Sequence, residues 1–332
     1  MLSISRIAIG VCSVLMLQEP QVTVSVRTDE DRMNAAELLE SGKLDPETER
    51  RTITSLADFL NPSDGRDILY AFQKCAKRGP GCLDAVVPQI VNSVKFTKDE
   101  TFFCLLCDTL LCCEKITPQS RDLLAAQFER RQDLIYGIYK LAAVLAKFGQ
   151  DDKLDWLSAK LKRPFSLPVC CAAEALGSLG PRAKSTIPAL EPLLAARAPD
   201  VRVVAATALW RIGYKDKRDV IEKVLRESLA EDDEEVTFVP TYHGSVPAAS
   251  HSDIAINWLW KIGDQSAETT DLLASMLRDS SRDRKLHLIW VLAKIGKPTE
   301  SVLAALREAS VDQMNALVAK AAQRALQTLG QD

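Results

Sequence analysis

The chain has 332 residues, with 42 Lys and Arg against 45 Asp and Glu, a net charge of −3 and 47% hydrophobic residues. These values are ordinary for a soluble globular chain. They argue against a nucleic-acid groove, which needs clustered Lys and Arg. Scaling for compact domains suggests two domains at this length, but a single repeat array can use all of it.

Arg6 opens the chain with positive charge, and the apolar stretch 7–17 that follows ends at Gln18-Glu19-Pro20. That stretch is too short to span a bilayer as a helix and has the length of a signal h-region. The reading is a signal segment over 1–25 and a linker over 26–32, which would export the protein to the periplasm or cell envelope. The alternative is the apolar first element of a cytoplasmic protein, because no Ala-x-Ala cleavage site or lipobox follows. No stable membrane span is expected.

A helix pair is expected around 35–40 and 47–60, as an N-terminal cap. Ala71 and Cys75 then stand eight and four residues before Gly79. Leu106, Leu110 and Cys113 stand eight, four and one before Glu114. The same spacing then becomes regular. Ala172-Ala173-Glu174-Ala175-Leu176-Gly177-Ser178-Leu179-Gly180 matches Ala205-Ala206-Thr207-Ala208-Leu209-Trp210-Arg211-Ile212-Gly213. Leu145, Leu259, Leu292 and Leu326 likewise precede Gly149, Gly263, Gly296 and Gly330 by four. The glycines at 149, 180, 213, 263, 296 and 330 are separated by 31, 33, 50, 33 and 34 residues, a period that marks stacked repeats.

Positions eight, four and one before the glycine share one helical face. Small residues beside them admit a close neighbour, and the glycine suits a left-handed helix end. A second amphipathic helix follows each glycine: Ile187-Pro188-Ala189-Leu190 with Leu193 and Leu194, then Val220-Ile221 with Val224 and Leu225. The later copies are Leu272-Leu273 with Met276 and Leu277, and Val302-Leu303 with Leu306. Such a pair cannot bury its apolar face alone but can when stacked. The helix before Gly330 should cap the far end.

Residues 169–213 resemble the short bacterial HEAT repeat of the phycobilisome-lyase-like type. The resemblance is carried by residues 172–180, by residues 187–194, and by Pro199-Asp200-Val201-Arg202 leading into the next copy. It covers about two repeats closely and implies an α-solenoid, usually an interaction module.

Lys147, Arg211, Lys261 and Lys294 all stand two residues before a glycine. This position points away from the apolar face, so a solvated stripe is expected. The 50-residue step is 17 residues longer than the next, which places an insertion near 236–252, after the acidic run Glu231-Asp232-Asp233-Glu234-Glu235. Long loops inside compact repeats are functional or disordered. This one carries Phe238, Tyr242 and His243. Trp210 and Trp260 stand three residues before the glycines on either side of it, with Trp258 and Trp290 nearby. These tryptophans read as packing residues or as an aromatic patch under the loop.

Besides Cys12, the cysteines are Cys75, Cys82, Cys104, Cys107, Cys112, Cys113, Cys170 and Cys171. The expectation is buried thiols acting as small hydrophobes. In an exported chain, Cys75 and Cys82 are a candidate disulfide across a turn. Cys104-Leu105-Leu106-Cys107 invites a metal or redox role, but its apolar surroundings read as a buried helix rather than a zinc turn. His243, His251 and His287 are the only histidines and none is followed by Glu, unlike the repeated His-Glu pairs of some HEAT-like di-iron enzymes.

The reading is therefore all-α: an α-solenoid of about seven to eight stacked antiparallel helix pairs over 33–332, with a loop insertion at 236–252. The expected function is a non-catalytic scaffold that binds a protein partner along the ridge of second helices, aided by the loop. The candidate partner-binding residues are Phe238, Tyr242, His243, Trp210 and Trp260. No catalytic, metal or cofactor residue is expected. The rivals are a chromophore-lyase-like enzyme, implied by the resemblance, and a cysteine-based metal or redox protein.

Overall fold

The structure, a computed structural model, describes residues 28–63, 65–229 and 250–330. Among them are 17 α-helices and no strand. They follow as pairs: α1 (Asp29–Ser41) and α2 (Pro46–Ala57), α3 (Gly65–Arg78) and α4 (Val87–Phe96), α5 (Glu100–Leu110) and α6 (Pro118–Arg130), α7 (Gly137–Lys147) and α8 (Asp152–Lys160). Next come α9 (Ser166–Ser178) and α10 (Ile187–Leu190), α11 (Pro199–Ile212) and α12 (Arg218–Glu227), α13 (His251–Ile262) and α14 (Ala267–Met276), α15 (Arg282–Ile295) and α16 (Glu300–Ser310). Helix α17 (Ala316–Thr328) packs on α15 and α16 and closes the array. The signal segment, most of the linker and residues 230–249 lie outside the described residues.

Each odd-numbered helix packs on the next odd-numbered one, and this row is closer packed than the even row. We call the face formed by the odd row the inner face. The chain is an α-solenoid of stacked helix pairs. One continuous core runs from Ala35 to Ala325. No helix among the described residues is long and apolar enough to cross a membrane.

The leucine four residues before the glycine is buried in α7, α9, α11, α13 and α15, whereas Leu326 of α17 is half-buried. Leu145, Leu176, Leu209 and Leu259 are fully buried and Leu292 is 1% exposed. The six period glycines all have positive φ, as at Gly213 with 106°. There the N–H of Tyr214 reaches back to the Leu209 carbonyl at 3.0 Å. Gln150 does the same to Leu145 and Asp264 to Leu259, both at 3.0 Å, so three helices end with one shared hydrogen bond.

Three details differ from the sequence reading. Gly79 is not left-handed; Gly81 is, with φ 75°. Pro80 follows Gly79 and presses it towards extended backbone, so the turn is made two residues later. The stretch 187–194 is not one helix: α10 has four residues, flanked by 3₁₀ turns over Gly180–Thr186 and Glu191–Ala195. Pro192 lacks an N–H and its ring opposes the carbonyl of Pro188, so the α-helix cannot pass it. Finally, the insertion ends earlier than expected. Ser250 caps α13 by accepting from Asp253 N–H at 3.2 Å, and His251 and Ser252 are buried in the helix.

Candidate functional site: the inner face

Six residues before its period position, at Gly79, Glu114, Gly180 or Gly263, an odd helix directs a polar side chain at the next odd helix. Gln73 Nε2 donates to Thr109 Oγ1 at 3.0 Å. Asp108 accepts from Lys140 Nζ at 2.6 and 2.9 Å. Glu174 Oε1 accepts from Arg211 Nη1 at 2.7 Å. Asn257 Oδ1 and His287 Nε2 lie 3.0 Å apart. The four links start from one repeat position, but only Lys140 and His287 share a position in the next repeat, nine residues before Gly149 and Gly296.

Asp108 and Lys140 are 4% and 7% exposed. Burial opposes the Lys140 charge, but Asp108, then Cys104 and Glu174, attract it and raise its pKa above the lysine range. The pair is a structural clamp between α5 and α7, because neither charge tolerates isolation there.

The basic stripe two residues before the glycines is less uniformly solvated than expected. Lys147 is half-buried and donates to the Leu111 carbonyl, and burial holds its pKa below the usual value. Arg211 is half-buried against Glu174. Lys261 and Lys294 are exposed, and neither has a carboxylate partner among the described residues. Partial desolvation, then the like charge of Arg211, lowers the Lys261 pKa, while Glu174 acts in the opposite sense. The position points away from the core of its own pair, yet Lys147 and Arg211 are half-buried there.

The tryptophans join this face. Lys261 Nζ lies 5.0 Å from the Trp258 ring and Lys294 Nζ 5.9 Å from Trp290. Trp260 meets Trp290 edge to face at 4.8 Å. Trp210 is half-buried under Lys215 Nζ, 3.2 Å from its ring centre. The candidate pair Trp210 and Trp260 thus have different local partners. Trp290 is 44% exposed. Phe238, Tyr242 and His243 lie outside the described residues.

The described cysteines are free thiols, so Cys75 and Cys82 form no disulfide. Burial raises the thiol pKa of Cys75, Cys104 and Cys171 to about 12 and of Cys82 to about 11. It also raises those of Cys107, Cys112, Cys113 and Cys170. Metal binding and nucleophilic attack need the thiolate, which these sites disfavour. Among the described residues no group of three or more His, Cys, Asp or Glu is placed to hold a metal ion.

No protein-family model and no curated protein matches the chain. Solved structures share its outline loosely. The complex of CpcE and CpcF of phycocyanin lyase from Nostoc is 19% identical, with 80% of this chain and 93% of that one covered and a TM-score of 0.40. Human deoxyhypusine hydroxylase is 14% identical, with 91% and 96% covered and a TM-score of 0.31. Importin beta is 13% identical at a TM-score of 0.37, with 91% of this chain covering half of that one.

Proposed function

We propose that the chain is a non-catalytic interaction scaffold that holds a protein partner on the inner face of its odd-numbered helices. The observation that carries this reading is the repeated exposed surface across α13 and α15. There Lys261 and Lys294 stand beside Trp258 and Trp290. Indole and ammonium groups at successive repeats suit an extended partner, since aromatic residues dominate binding energy at interfaces. The even helices carry such pairs too, Lys95 over Phe96 on α4 and Lys160 over Trp156 on α8, and their ridge is a second surface of the same kind. The raised thiol pKa values count against a cysteine enzyme or metal carrier. The loop residues Phe238, Tyr242 and His243 are proposed as an auxiliary contact.

The test is affinity capture from native cell extract with the purified chain, alongside Trp290→Ala and a variant changed on the even row. A protein held in stoichiometric amount by the parent and the even-row variant, and lost by Trp290→Ala, is the expected result. Retention of a small molecule that the chain converts, with no protein retained, would refute the scaffold reading.

A further inference from the structure

The geometry points to a second partner site, a cleft beside Trp156 that receives one aromatic side chain of the partner while a neighbouring carboxylate of that partner sits on Lys160. This rests on the scaffold reading and adds a contact in an earlier repeat than Trp258 and Trp290. The cleft has a volume of about 230 Å³ and is lined by the turn before α7, by α7 and α8, and by the first turn of α9. Pockets that take a whole small molecule span about 300–1,000 Å³, so this one suits a single ring. Its lining is mainly apolar. Ile138 is buried, whereas Ile135 on the same lining is 55% exposed. The Trp156 indole is braced by two other rings: Phe128 edge to face at 5.2 Å between centres, and Tyr139 at 5.4 Å with the planes tilted by 52°. Trp156 and Tyr139 are nevertheless only half-buried, and both line the cleft. Rings held in place this way offer an incoming aromatic group the edge-to-face or offset contact that such pairs prefer.

The charge at the cleft selects the occupant. Lys160 lines it, with Nζ 4.4 Å from the Trp156 ring centre. It is half-buried and forms no ion pair among the described residues. Lys153 of the same helix, by contrast, faces Asp152 at 3.0 Å and Glu129 at 3.9 Å. Burial, then the like charge of Arg163, holds the Lys160 pKa below the usual value. A partly desolvated ammonium without a counter-ion favours an approaching carboxylate and repels a cation. Ring and carboxylate therefore act together, as interfaces combine an aromatic anchor in a pocket with charge complementarity at its rim.

The experiment uses the full chain and fluorescence anisotropy. The probes are a labelled Gly-Ser peptide carrying one Phe between two Asp, the same peptide with Ala for Phe, and the same peptide with Lys for both Asp. Saturable binding of the first peptide, weakened at least about tenfold by Ala for Phe, is the expected result. Ile135→Ser should weaken it about fivefold by removing apolar surface. Lys160→Gln should weaken it about threefold and flatten its salt dependence. Ile135 is exposed, so circular dichroism and the melting curve of Ile135→Ser should match the parent. Val311, 72% exposed just after α16, gives the control: Val311→Ser should leave binding unchanged. Absence of saturable binding, or binding left unchanged by either Ile135→Ser or Lys160→Gln, overturns the inference. Equal or tighter binding of the Ala or Lys peptide overturns it as well. Displacement of the Phe peptide by an equal concentration of 3-phenylpropionate reassigns the cleft to a small aromatic acid and likewise overturns it. A captured partner lost by Trp290→Ala but insensitive to Ile135→Ser would leave the scaffold reading standing and remove this one.

Discussion

Glu174 of α9 and Arg211 of α11 meet at 2.7 Å where those two helices pack, each with a side chain less than one-fifth exposed. Beside this pair, Gly177 presents no side chain to α11. A Cβ there would lie 2.8 Å from Ala208 Cα and 3.0 Å from its Cβ. The polar link and the missing methyl therefore belong to one arrangement, in which glycine lets the helices close far enough for the charges to meet.

Gly177→Ala tests that closeness. Alanine is the better helix former by about 1 kcal/mol. The added Cβ, however, meets backbone rather than a movable side chain, and overpacking costs about 1–3 kcal/mol. Net destabilisation in urea melts is expected. A more stable variant would show that α9 and α11 are not so close.

The clamp between α5 and α7 should behave differently when halved and when removed. Lys140→Met leaves the Asp108 carboxylate buried and unpaired, at a cost of about 3–5 kcal/mol. Combining it with Asp108→Leu should recover most of that loss. Denaturant unfolding of the two variants decides this, and equal stability of the single variant and the parent would refute the clamp.

The same two helices show what a sequence can and cannot disclose. Leu106 and Leu110 are legible as core because the 3.6-residue period of one helix places them together, and both are fully buried. The Asp108–Lys140 contact is not legible, since it depends on the register between helices 32 residues apart. The Glu174–Arg211 contact was hidden by the same gap, since neither helix alone pairs them. Trp260 could be placed beside a glycine by spacing, but its partner Trp290 follows from inter-helix register. Pro192, by contrast, was readable as a helix breaker, and the apolar run around it masked that signal.

The thiols predict a pH dependence. Unfolded cysteine ionises near its ordinary value of 9.0, whereas burial keeps Cys104 and Cys171 protonated to about 12. The folded state then binds more protons than the unfolded state between those values. Stability is thus fully present below about pH 9 and falls as the pH rises towards 12. Melting temperature measured from pH 8 to 11 should decline, less steeply after Cys104→Ala. Native thiols should also react slowly with a disulfide reagent at pH 8 and quickly in denaturant. Protein purified without chelator should carry no stoichiometric zinc; one zinc per chain, lost on changing Cys104 and Cys107 to Ser, would contradict this.

Equivalent leucines should carry equivalent weight. Leu176, Leu209 and Leu259 are fully buried and Leu292 is 1% exposed, each four residues before its glycine. Changing any one to Ala should cost about 2–5 kcal/mol. Costs below about 0.5 kcal/mol at two of them would show that the repeat face is misassigned.

The insertion gives the last prediction, and the structure sets its boundary. Ser250 caps α13 and also accepts from Arg284 Nη2 at 2.7 Å, while the His251 side chain is buried. A deletion of residues 237–249 spares all of this. Closure entropy changes slowly with loop length, so its effect on stability should be on the order of 1 kcal/mol. Extending the deletion through His251 removes the cap and should cost about 1 kcal/mol more. If the loop contributes to binding, the shorter deletion should weaken partner capture while the melting temperature barely moves. Phe238→Ala with Tyr242→Ala should reproduce most of that loss, because aromatic anchors dominate interfaces. Unchanged capture after the shorter deletion would leave the inner face as the whole binding surface. Global unfolding would instead make the loop structural, and the exposure of Trp210 and Trp260, read by fluorescence quenching, should then rise.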